Sequence, residues 1–340
     1  MKKNNLAIVG ATGLVGQEFI NILEERDFPI DQLFLFASEK SLGETVRFRR
    51  KEIDVVPLTK ETATSKKIDI ALFSAGSEVS LEFAKIFAEK GSFVIDNSSA
   101  FRMDNSVPLI VPEANGETLK SNNSKIIANP NCSTIQLVGF LKIVNDLFGL
   151  KKVVVSTYQS VSGAGKKGID ELREQVGALF CGKSAHPEVF PQRIAFNLIP
   201  HIGRFYSDGY CDEEVKVIDE TRKILSLPTL DIDVTAVRVP TFFSHAESVN
   251  IELKKKCNLK LLREKVSESS EMVLLDDFEQ LLYPTLLDSS GKNEVFIGRL
   301  RCGREDDKRI SAWIVADNVK KGAAYNAVKI AEILTGGVDE

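Results

Sequence analysis

The sequence predicts an α/β protein with two domains: a Rossmann-like domain built on a parallel sheet, and an α+β domain built on a mixed sheet. In the first third of the chain, short apolar strands alternate with helical patterns, which favours a parallel sheet with crossover helices. Beyond residue 150, longer strand-like runs follow one another with fewer helices between them, which favours mixed or antiparallel pairing. The length of 340 residues is enough for two compact cores.

The first predicted domain begins with a strand, a glycine-rich turn and a helix. An apolar run at 6–9 ends at Gly10, and Gly13 and Gly16 open an amphipathic stretch that continues to Arg26. Further strands are predicted at 33–37, 68–74 and 93–95, with a helix at 78–89 and an edge hairpin at 46–56. This alternation favours strands that lie side by side in parallel.

The boundary between the domains is predicted after residue 132, so that residues 1–132 form the first domain and 133–317 the second. A helical pattern covers 134–148, and strands are predicted at 152–161, 233–239, 247–253, 294–300 and 310–316. The segment 181–208 contains several prolines and glycines and is predicted to be a long ordered loop. A final Ala-rich helix, 318–338, is expected to pack back on the first domain.

Composition narrows the function classes. The chain has 44 basic and 48 acidic residues, a net charge of −4, so no basic surface for nucleic acid or anionic membranes is indicated. Its five cysteines are scattered without metal-ligand or disulfide spacing, and no apolar run near the first residue is long enough for a signal peptide. We therefore expect a cytoplasmic protein without a metal site.

The glycine spacing G-x-x-G-x-x-G at Gly10, Gly13 and Gly16 suits a phosphate bound at the start of a helix, where backbone N–H groups face the anion. A tight turn with close helix packing explains the same glycines without a ligand. After the second strand, the run Ser38-Glu-Lys-Ser41 offers hydroxyl groups and one positive charge. These groups favour NADP over NAD, although a solvated loop is an equally good interpretation.

Cys132 follows Pro-Asn and precedes a predicted helix, a position where the helix dipole stabilises a thiolate. A small buried hydrophobic residue is the alternative. A nucleophilic thiol needs an acid/base partner, and the three histidines, His186, His201 and His245, are the candidates. Each of them could instead be structural.

Six short motifs, each modest alone, occur in one order along nearly the whole chain. They are Gly10-Ala-Thr-Gly-Leu-Val-Gly16, Asp96-Asn-Ser-Ser-Ala-Phe-Arg102, Pro130-Asn-Cys-Ser133, Gln159-Ser-Val-Ser-Gly-Ala-Gly165, Glu213-Glu-Val-Lys216, and Arg238-Val-Pro followed by His245. Together they resemble the aspartate-semialdehyde dehydrogenase family. The segment 181–208 is similar to the bacterial branch of that family.

The resemblance implies an activity and a set of catalytic residues. Members of the family reduce L-aspartyl 4-phosphate with NADPH to aspartate semialdehyde and phosphate, a step toward lysine, threonine, methionine and isoleucine. By this resemblance Cys132 forms a thioester, His245 shuttles a proton, and Gln159 orients the acyl intermediate.

Charged residues are implied to bind the substrate. Arg238 would clasp the α-carboxylate through its planar fork, and Glu213 would contact the α-amino group. Arg102 and Lys216 would bind the phosphate, and Asn131 would help to stabilise the oxyanion. A helical i, i+3 ion pair is the alternative interpretation of Glu213 and Lys216.

Cofactor contacts are implied in both predicted domains. The positions are Gly10, Thr12, Gly13, Leu14, Val15, Ser38, Lys40, Ser41, Ser74, Gly76, Asn97, Ser162, Gly163 and Asn318. Lys40 stands where the family usually has arginine, so a point charge replaces a fork. The resemblance also implies a homodimer formed through the sheet of the second domain.

Other functions stay open on the sequence. N-acetyl-glutamyl-phosphate reductase shares the thioester chemistry and the cofactor fold, and glyceraldehyde-phosphate dehydrogenase also pairs a cysteine with a histidine. The spacing from Arg238 to His245 and the Glu213-x-x-Lys216 motif favour the aspartate enzyme. A non-catalytic binding or assembly protein with the same fold would be expected to lack the nucleophile.

Overall fold

The computed structural model describes residues 3–336 and divides into two compact units. One unit contains the described residues up to Asn131 together with those from Ala323 onward, and the other contains Cys132–Gly322. Each unit has its own buried hydrophobic cluster. In the part of the chain that the structure describes, no helix has the length and apolar character that a membrane span requires.

The first unit is built on a mostly parallel sheet. Its strands are β1 (Asn4–Val9), β2 (Ile30–Ala37), β3 (Thr45–Phe48), β4 (Lys51–Pro57), β5 (Ile70–Phe73), β6 (Phe93–Asp96) and β7 (Ile126–Ala128). Its helices before residue 132 are α1 (Leu14–Glu25), α2 (Lys60–Thr64), α3 (Ser77–Glu89) and α4 (Pro112–Asn115). The order across the sheet is β3-β4-β2-β1-β5-β6-β7, and only β3 and β4 pair in an antiparallel direction. The predicted Rossmann-like sheet is confirmed.

The strand order reverses direction at β1. From β1 the chain moves to β2 on one side and later returns to β5 on the other side of β1. Such a reversal leaves a crevice at the carboxyl ends of the strands, which is where ligands bind in open α/β sheets. The predicted edge hairpin is confirmed as β3 and β4, although β4 also pairs in parallel with β2.

The second unit is built on a mixed sheet, as predicted. Its strands are β8 (Leu150–Gln159), β9 (Asp231–Arg238), β10 (His245–Leu253), β11 (Met272–Leu274), β12 (Val295–Cys302) and β13 (Arg309–Ala316). Its helices are α5 (Cys132–Phe148), α6 (Gly165–Phe180), α7 (Asp212–Ile224), α8 (Leu259–Glu268) and α9 (Leu286–Ser289). The order is β11-β12-β13-β10-β8-β9. The short strands β7 and β11 and the helices α6 and α8 were not among the predicted elements.

One face of the mixed sheet packs against α5. Every second residue of β10 from Val249 to Leu253 joins the same buried cluster as Phe140 and Val144 of α5. Because side chains of a strand alternate between the two faces, His245 and Glu247 lie on this same face. The helix and the sheet therefore position the groups at the start of α5 and of β10.

The predicted final helix needs a correction at its start. The chain turns after β13 because the Asp317 carboxylate accepts the N–H groups of Val319 and Lys320 at 2.9 and 2.8 Å. A π-helical stretch, Lys320–Tyr325, then leads into α10 (Asn326–Leu334), so helical structure begins at 320 and not at 318. The predicted end at 338 lies outside the described residues. Buried residues of α10 join the core of the first unit with residues of α1.

Candidate active site

The glycine turn after β1 brings backbone segments into close contact. Gly10 has φ of +90°, and a Cβ atom there would lie 2.9 Å from the carbonyl carbon of Ser74. A Cβ atom at Gly16 would lie 2.1 Å from the Gly10 oxygen, so no side chain fits without moving the turn. Gly13 is the N-cap of α1 and has no side chain with which to occupy the first N–H groups of the helix. Backbone packing thus requires glycine at positions 10 and 16, and the uncapped start of α1 offers N–H donors to an anion.

The cofactor residues predicted in the first unit share one structural location. All of them follow the carboxyl ends of β1, β2, β5 or β6; they are Gly10, Thr12, Gly13, Leu14, Val15, Ser38, Lys40, Ser41, Ser74, Gly76 and Asn97. The hydroxyl groups of Thr12 and Ser41 are 3.2 Å apart, which links the turn after β1 to the turn after β2. Lys40 is exposed beside them in sequence. These strand ends lie on both sides of the reversal at β1.

Arg102 is buried and held by backbone carbonyl groups of the first unit. Its Nε donates to the Asn129 oxygen at 3.0 Å, and its Nη2 donates to the Asn97 oxygen at 2.9 Å. Asn129 is itself fixed, because its Oδ1 accepts from the Asn326 side chain at 2.7 Å. Asn131 is also buried and directly precedes Cys132. The guanidinium is therefore placed by the turns that follow β6 and β7.

Cys132 is the first residue of α5 and is partly exposed. At this position the positive end of the helix dipole favours the thiolate. Gly322 approaches the same residue closely, since a Cβ atom at Gly322 would lie 2.8 Å from the Cys132 Cβ. The predicted nucleophile thus lies at a helix start beside backbone that only glycine allows.

Three predicted site residues form one row across the mixed sheet. Gln159 ends β8, where it lies opposite His245 in the antiparallel partner β10 and opposite Arg238 in the parallel partner β9. Paired residues in neighbouring strands share a face and are about 5 Å apart. The row Arg238, Gln159, His245 lies on the face that packs against α5.

Glu213 connects α7 to this row. The Gln159 amide donates to Glu213 Oε1 at 3.0 Å, and Lys216 Nζ lies 3.2 Å from Glu213 Oε2. Glu213 is only 7% exposed, whereas the Lys216 side chain is 36% exposed. The ion pair between positions i and i+3 is present, and its carboxylate is directed into the protein instead of toward solvent.

Arg238 is buried at the end of β9. Its Nη1 donates to the Ser160 oxygen at 2.7 Å, and a Cβ atom at Gly163 would lie 2.7 Å from the same nitrogen. Burial lowers the pKa of Arg238, while the negative charges of Glu213 and Cys132 act in the opposite direction. The thiol of Cys132 is thus near enough to the guanidinium to influence its charge.

His245 is fully buried at the start of β10, and one ring nitrogen is occupied. Its Nδ1 accepts the backbone N–H of Ser160 at 3.1 Å and lies 3.2 Å from the Ser160 hydroxyl. Burial, with a smaller effect from Arg238, lowers the pKa of His245 from 6.5 to about 3. The ring is therefore neutral with its proton on Nε2, and this nitrogen has no hydrogen-bond partner among residues 3–336.

Asn318 joins the loops that surround His245. Its Oδ1 accepts from the hydroxyl groups of Ser160 and Ser162 at 3.2 and 3.1 Å, and from the backbone N–H of Ser244 at 3.0 Å. Ser244 has φ of +68°, a strained conformation for a residue with a side chain. The predicted cofactor residues Ser162, Gly163 and Asn318 thus lie beside the row Arg238, Gln159, His245.

The other two histidines lie outside the row. His201 stacks on Phe205 with ring centroids 4.5 Å apart, and His186 lies in the predicted loop 181–208. Ser160, Ser244 and Gly322 were missed by the sequence reasoning because their roles depend on backbone geometry. Within residues 3–336, no group of three or more His, Cys, Asp or Glu side chains is arranged to hold a metal ion.

Comparisons with known proteins cover both units. Residues 5–122 match the semialdehyde dehydrogenase NAD binding domain, and residues 141–321 match the semialdehyde dehydrogenase dimerisation domain. The chain is 50% identical over 331 residues to an aspartate-semialdehyde dehydrogenase of Aquifex aeolicus, covering 97% of each chain. It is 46% identical over 332 residues to the enzyme of that name from Legionella pneumophila, covering 97% of this chain and 95% of the other.

A solved structure gives the same result. Aspartate semialdehyde dehydrogenase II of Vibrio cholerae, complexed with ASA, superposes with a TM-score of 0.94 at 44% identity and covers 99% of each chain. The similarity therefore extends over both units and not over the nucleotide-binding region alone.

Proposed function

The chain belongs to the aspartate-semialdehyde dehydrogenase family, and on that premise we propose that it reduces L-aspartyl 4-phosphate to L-aspartate 4-semialdehyde with release of phosphate. This reaction is a shared step toward lysine, threonine, methionine and isoleucine. The observation that carries the proposal is the row Arg238, Gln159, His245 on the sheet face against α5, whose first residue is Cys132. A nucleophile, a proton donor and a carboxylate-binding group are the parts that the reaction needs.

We propose NADP as the cofactor, held at the carboxyl ends of β1 and β2. Gly13, the N-cap of α1, has no side chain to occupy the first N–H groups of the helix, so these donors can serve a pyrophosphate and the residues present fit a dinucleotide. The turn with Lys40 and Ser41 supplies a positive charge and a hydroxyl group for a 2′-phosphate. When bound, the cofactor supplies a hydride.

Cys132 carries the covalent chemistry in this proposal. Its thiolate attacks the acyl carbon, the bond to phosphate breaks, and the acyl group is held as a thioester. The helix start and the positive charge of Arg238 both favour the thiolate. A thioester accepts a hydride more readily than a carboxylate does, which is the reason for the covalent step.

His245 acts as the proton donor through Nε2. Since Nδ1 is engaged by the Ser160 N–H, the proton of the neutral ring is on Nε2, the nitrogen without a partner in the described structure. In the neutral state this N–H donates a hydrogen bond to the oxygen that becomes negatively charged when the thioester is reduced. To transfer a proton, the ring must first take one up from solvent, so that it passes from imidazolium to the neutral ring; the reverse reaction returns that proton. Asn131, next to Cys132, is proposed to help with the same oxygen.

The remaining polar residues bind and orient the substrate. Arg238 receives the α-carboxylate, and Glu213 receives the α-amino group. Gln159 donates a hydrogen bond to Glu213, which fixes its amide. The fixed amide is proposed to orient the acyl group. Lys216 and Arg102 are proposed to bind the phosphate, since two cations suit a dianion.

We also propose a homodimer formed through the mixed sheet. The second unit matches a dimerisation domain, and the sheet face opposite α5 carries Tyr158 and Trp313, which are only partly buried in the single chain. A sedimentation measurement at micromolar concentration tests this directly. A monomer at that concentration would contradict the proposal.

The activity is tested with aldehyde, NADP and phosphate in the reverse direction, followed by absorbance of the reduced cofactor. We expect turnover with aspartate semialdehyde and none with N-acetyl-glutamate semialdehyde. Trapping the acylated protein and sequencing its peptides should locate the acyl group on Cys132. Activity on the acetylated aldehyde alone would reverse the choice of substrate, and silence toward both would favour a non-catalytic protein.

A further inference from the structure

Two buried polar side chains below the row Arg238, Gln159, His245 have no role in the reaction described above. Glu247 lies in β10 with no exposed surface, and Gln136 lies in α5 with 1% exposure. All four of their polar side-chain atoms are buried without a hydrogen bond of normal geometry in the described structure. Unsatisfied buried polar groups of this kind are costly and call for a physical reason.

Each of the two residues follows a proposed reacting group on the same secondary-structure element. Gln136 follows Cys132 in α5, and Glu247 follows His245 in β10. Gln136 is four residues after Cys132, one turn along the same face of α5 and about 6 Å along its axis. Glu247 is two residues after His245, on the same face of β10 and about 6.6 Å along the strand. Four residues of the helix and two residues of the strand thus cover nearly the same distance. Successive inward side chains of α5 can therefore lie opposite successive inward side chains of β10, in layers.

The layers differ in polarity. Glu247 pairs with Thr157 in β8 and with Ile314 in β13, directly below the row that contains Gln159 and His245. The next layer is apolar, because Val249 joins the hydrophobic cluster that α5 covers. Gln136 and Glu247 thus form a polar contact between α5 and β10, one layer below the proposed reacting groups.

In the described part of the chain, the Glu247 carboxyl group faces the Gln136 amide, and no cation acts on its pKa. Burial raises the pKa of Glu247 well above its ordinary value of 4.5, and the Gln136 side chain only partly opposes this. A neutral carboxylic acid has one donor and one acceptor, which match the acceptor and the donor of an amide. A small adjustment of rotamers would give two hydrogen bonds between them.

We propose that Gln136 and Glu247 are a positioning pair, which holds the start of α5 in register with β10 and so keeps Cys132 aligned with His245. The hydrogen bonds of the pair would fix α5 against β10 in the layer next to the reacting groups. Apolar contacts are less directional and alone would allow the helix to slide along the strand. A helix displaced by a fraction of a turn would move the sulfur away from the proton donor and from Arg238. This inference rests on the proposed function for its link to turnover.

The test combines steady-state kinetics with alkylation of Cys132 by iodoacetamide as a function of pH, with the modified peptide identified by mass spectrometry. We expect Gln136→Leu to lower kcat by about 10-fold to 100-fold with little change in KM, since misplacement of reacting groups has costs of this size. The same variant should shift the pH midpoint of alkylation upward. The single variant Glu247→Gln should keep at least a third of the normal kcat, because two amide side chains can form the same two hydrogen bonds with each other.

Val249→Ala is the matched control, one layer further along the same strand face. It should lower thermal stability without moving the alkylation midpoint or kcat. The exchanged double variant, Gln136→Glu with Glu247→Gln, keeps both partners and is expected to behave like the natural chain even if a single variant folds poorly.

The proposal is overturned if Gln136→Leu behaves like Val249→Ala, or if Glu247→Gln and the exchanged variant are as impaired as Gln136→Leu. Alkylation needs neither substrate nor cofactor. An inactive natural chain whose alkylation still responds to these variants would therefore refute the proposed function and leave the positioning pair intact.

Discussion

The glycine turn of the first unit and the row Arg238, Gln159, His245 of the second differ in how they are built. The turn is local, since Gly10, Gly13 and Gly16 lie within one strand–turn–helix and their close packing depends on the absence of side chains. The row is assembled by strand register, which brings Gln159 next to Arg238 and His245 from distant parts of the chain. A local motif can be recognised in the sequence alone. A row of residues from different strands can be recognised only when the pairing of the strands is known.

The largest effect is expected from Cys132→Ala, which removes the nucleophile. Turnover should fall by at least about 10³-fold, while NADP affinity measured by fluorescence titration stays unchanged, because the thiol is needed only for the covalent step. Cys181→Ala, which removes an exposed cysteine, is the control and should keep full activity. Residual turnover of similar size in both variants would remove Cys132 from the mechanism.

Arg238→Lys should have the next largest effect, and it tests whether the row binds the substrate carboxylate. We expect a loss of about 2 to 4 kcal/mol in transition-state stabilisation, because lysine cannot make two parallel bonds to a carboxylate in a buried site. The measurement is kcat/KM for aspartate semialdehyde. Arg173→Lys, on the exposed face of α6, is the control. Unchanged kinetics would show that Arg238 does not bind substrate.

Gly16→Ala tests the local turn. The added Cβ would lie 2.1 Å from the Gly10 oxygen, so the turn must move. We expect a free energy of unfolding lower by about 1 to 3 kcal/mol and weaker NADP binding, with Cys132 alkylation unaffected. Gly177→Ala is the matched control, because nothing lies within 4 Å of the added atom in α6. Equal NADP affinity in both variants would contradict a phosphate-binding turn.

The neutral state of His245 predicts a pH effect of moderate size. Its pKa falls from 6.5 to about 3 on folding. Between these two pH values, His245 binds a proton in the unfolded chain and not in the folded chain. The contribution to stability is complete above pH 6.5 and is lost as the pH falls toward 3, by at most about 1.4 kcal/mol per pH unit. Urea unfolding between pH 7 and 4 measures this slope, which should be smaller in His245→Gln. An identical slope in both proteins would contradict the buried neutral ring.

The smallest effect is expected from Lys40→Arg. An arginine fork binds a phosphate in two-point fashion, so the preference for NADP over NAD should rise by about 2-fold to 5-fold in kcat/KM. The comparison requires both cofactors at saturating aldehyde. If the ratio does not change, Lys40 does not contact the 2′-phosphate.

The sequence predicted the parallel sheet, the mixed sheet and most of their strands, because apolar periodicity reports burial directly. The residues alone indicated Cys132 as a nucleophile and left three histidines as its possible partner, whereas only the resemblance to a family selected His245 and gave Arg238 a role. Bounds were less accurate where side chains cap a turn, as at Asp317, which delays the final helix to Lys320.

Backbone partners could not be predicted. The N–H of Ser160 that fixes the tautomer of His245 carries no residue-specific signal, and neither does the close approach of Gly322 to Cys132. Glu247 did leave a signal, because an acidic residue stands in an alternating pattern whose other inward positions, Val249 and Ile251, are apolar. The alternation along β10 therefore predicts a buried acidic side chain at Glu247.

The hydrogen bond from Ser160 to the histidine ring also bears on inhibitor design. With Nδ1 occupied, Nε2–H is the one donor that the neutral ring can offer to a molecule bound in the proposed site. A compound that reacts with the cysteine should therefore place a carbonyl, sulfonyl or similar oxygen opposite this nitrogen. An amine or hydroxyl proton at the same place would meet another proton and weaken binding.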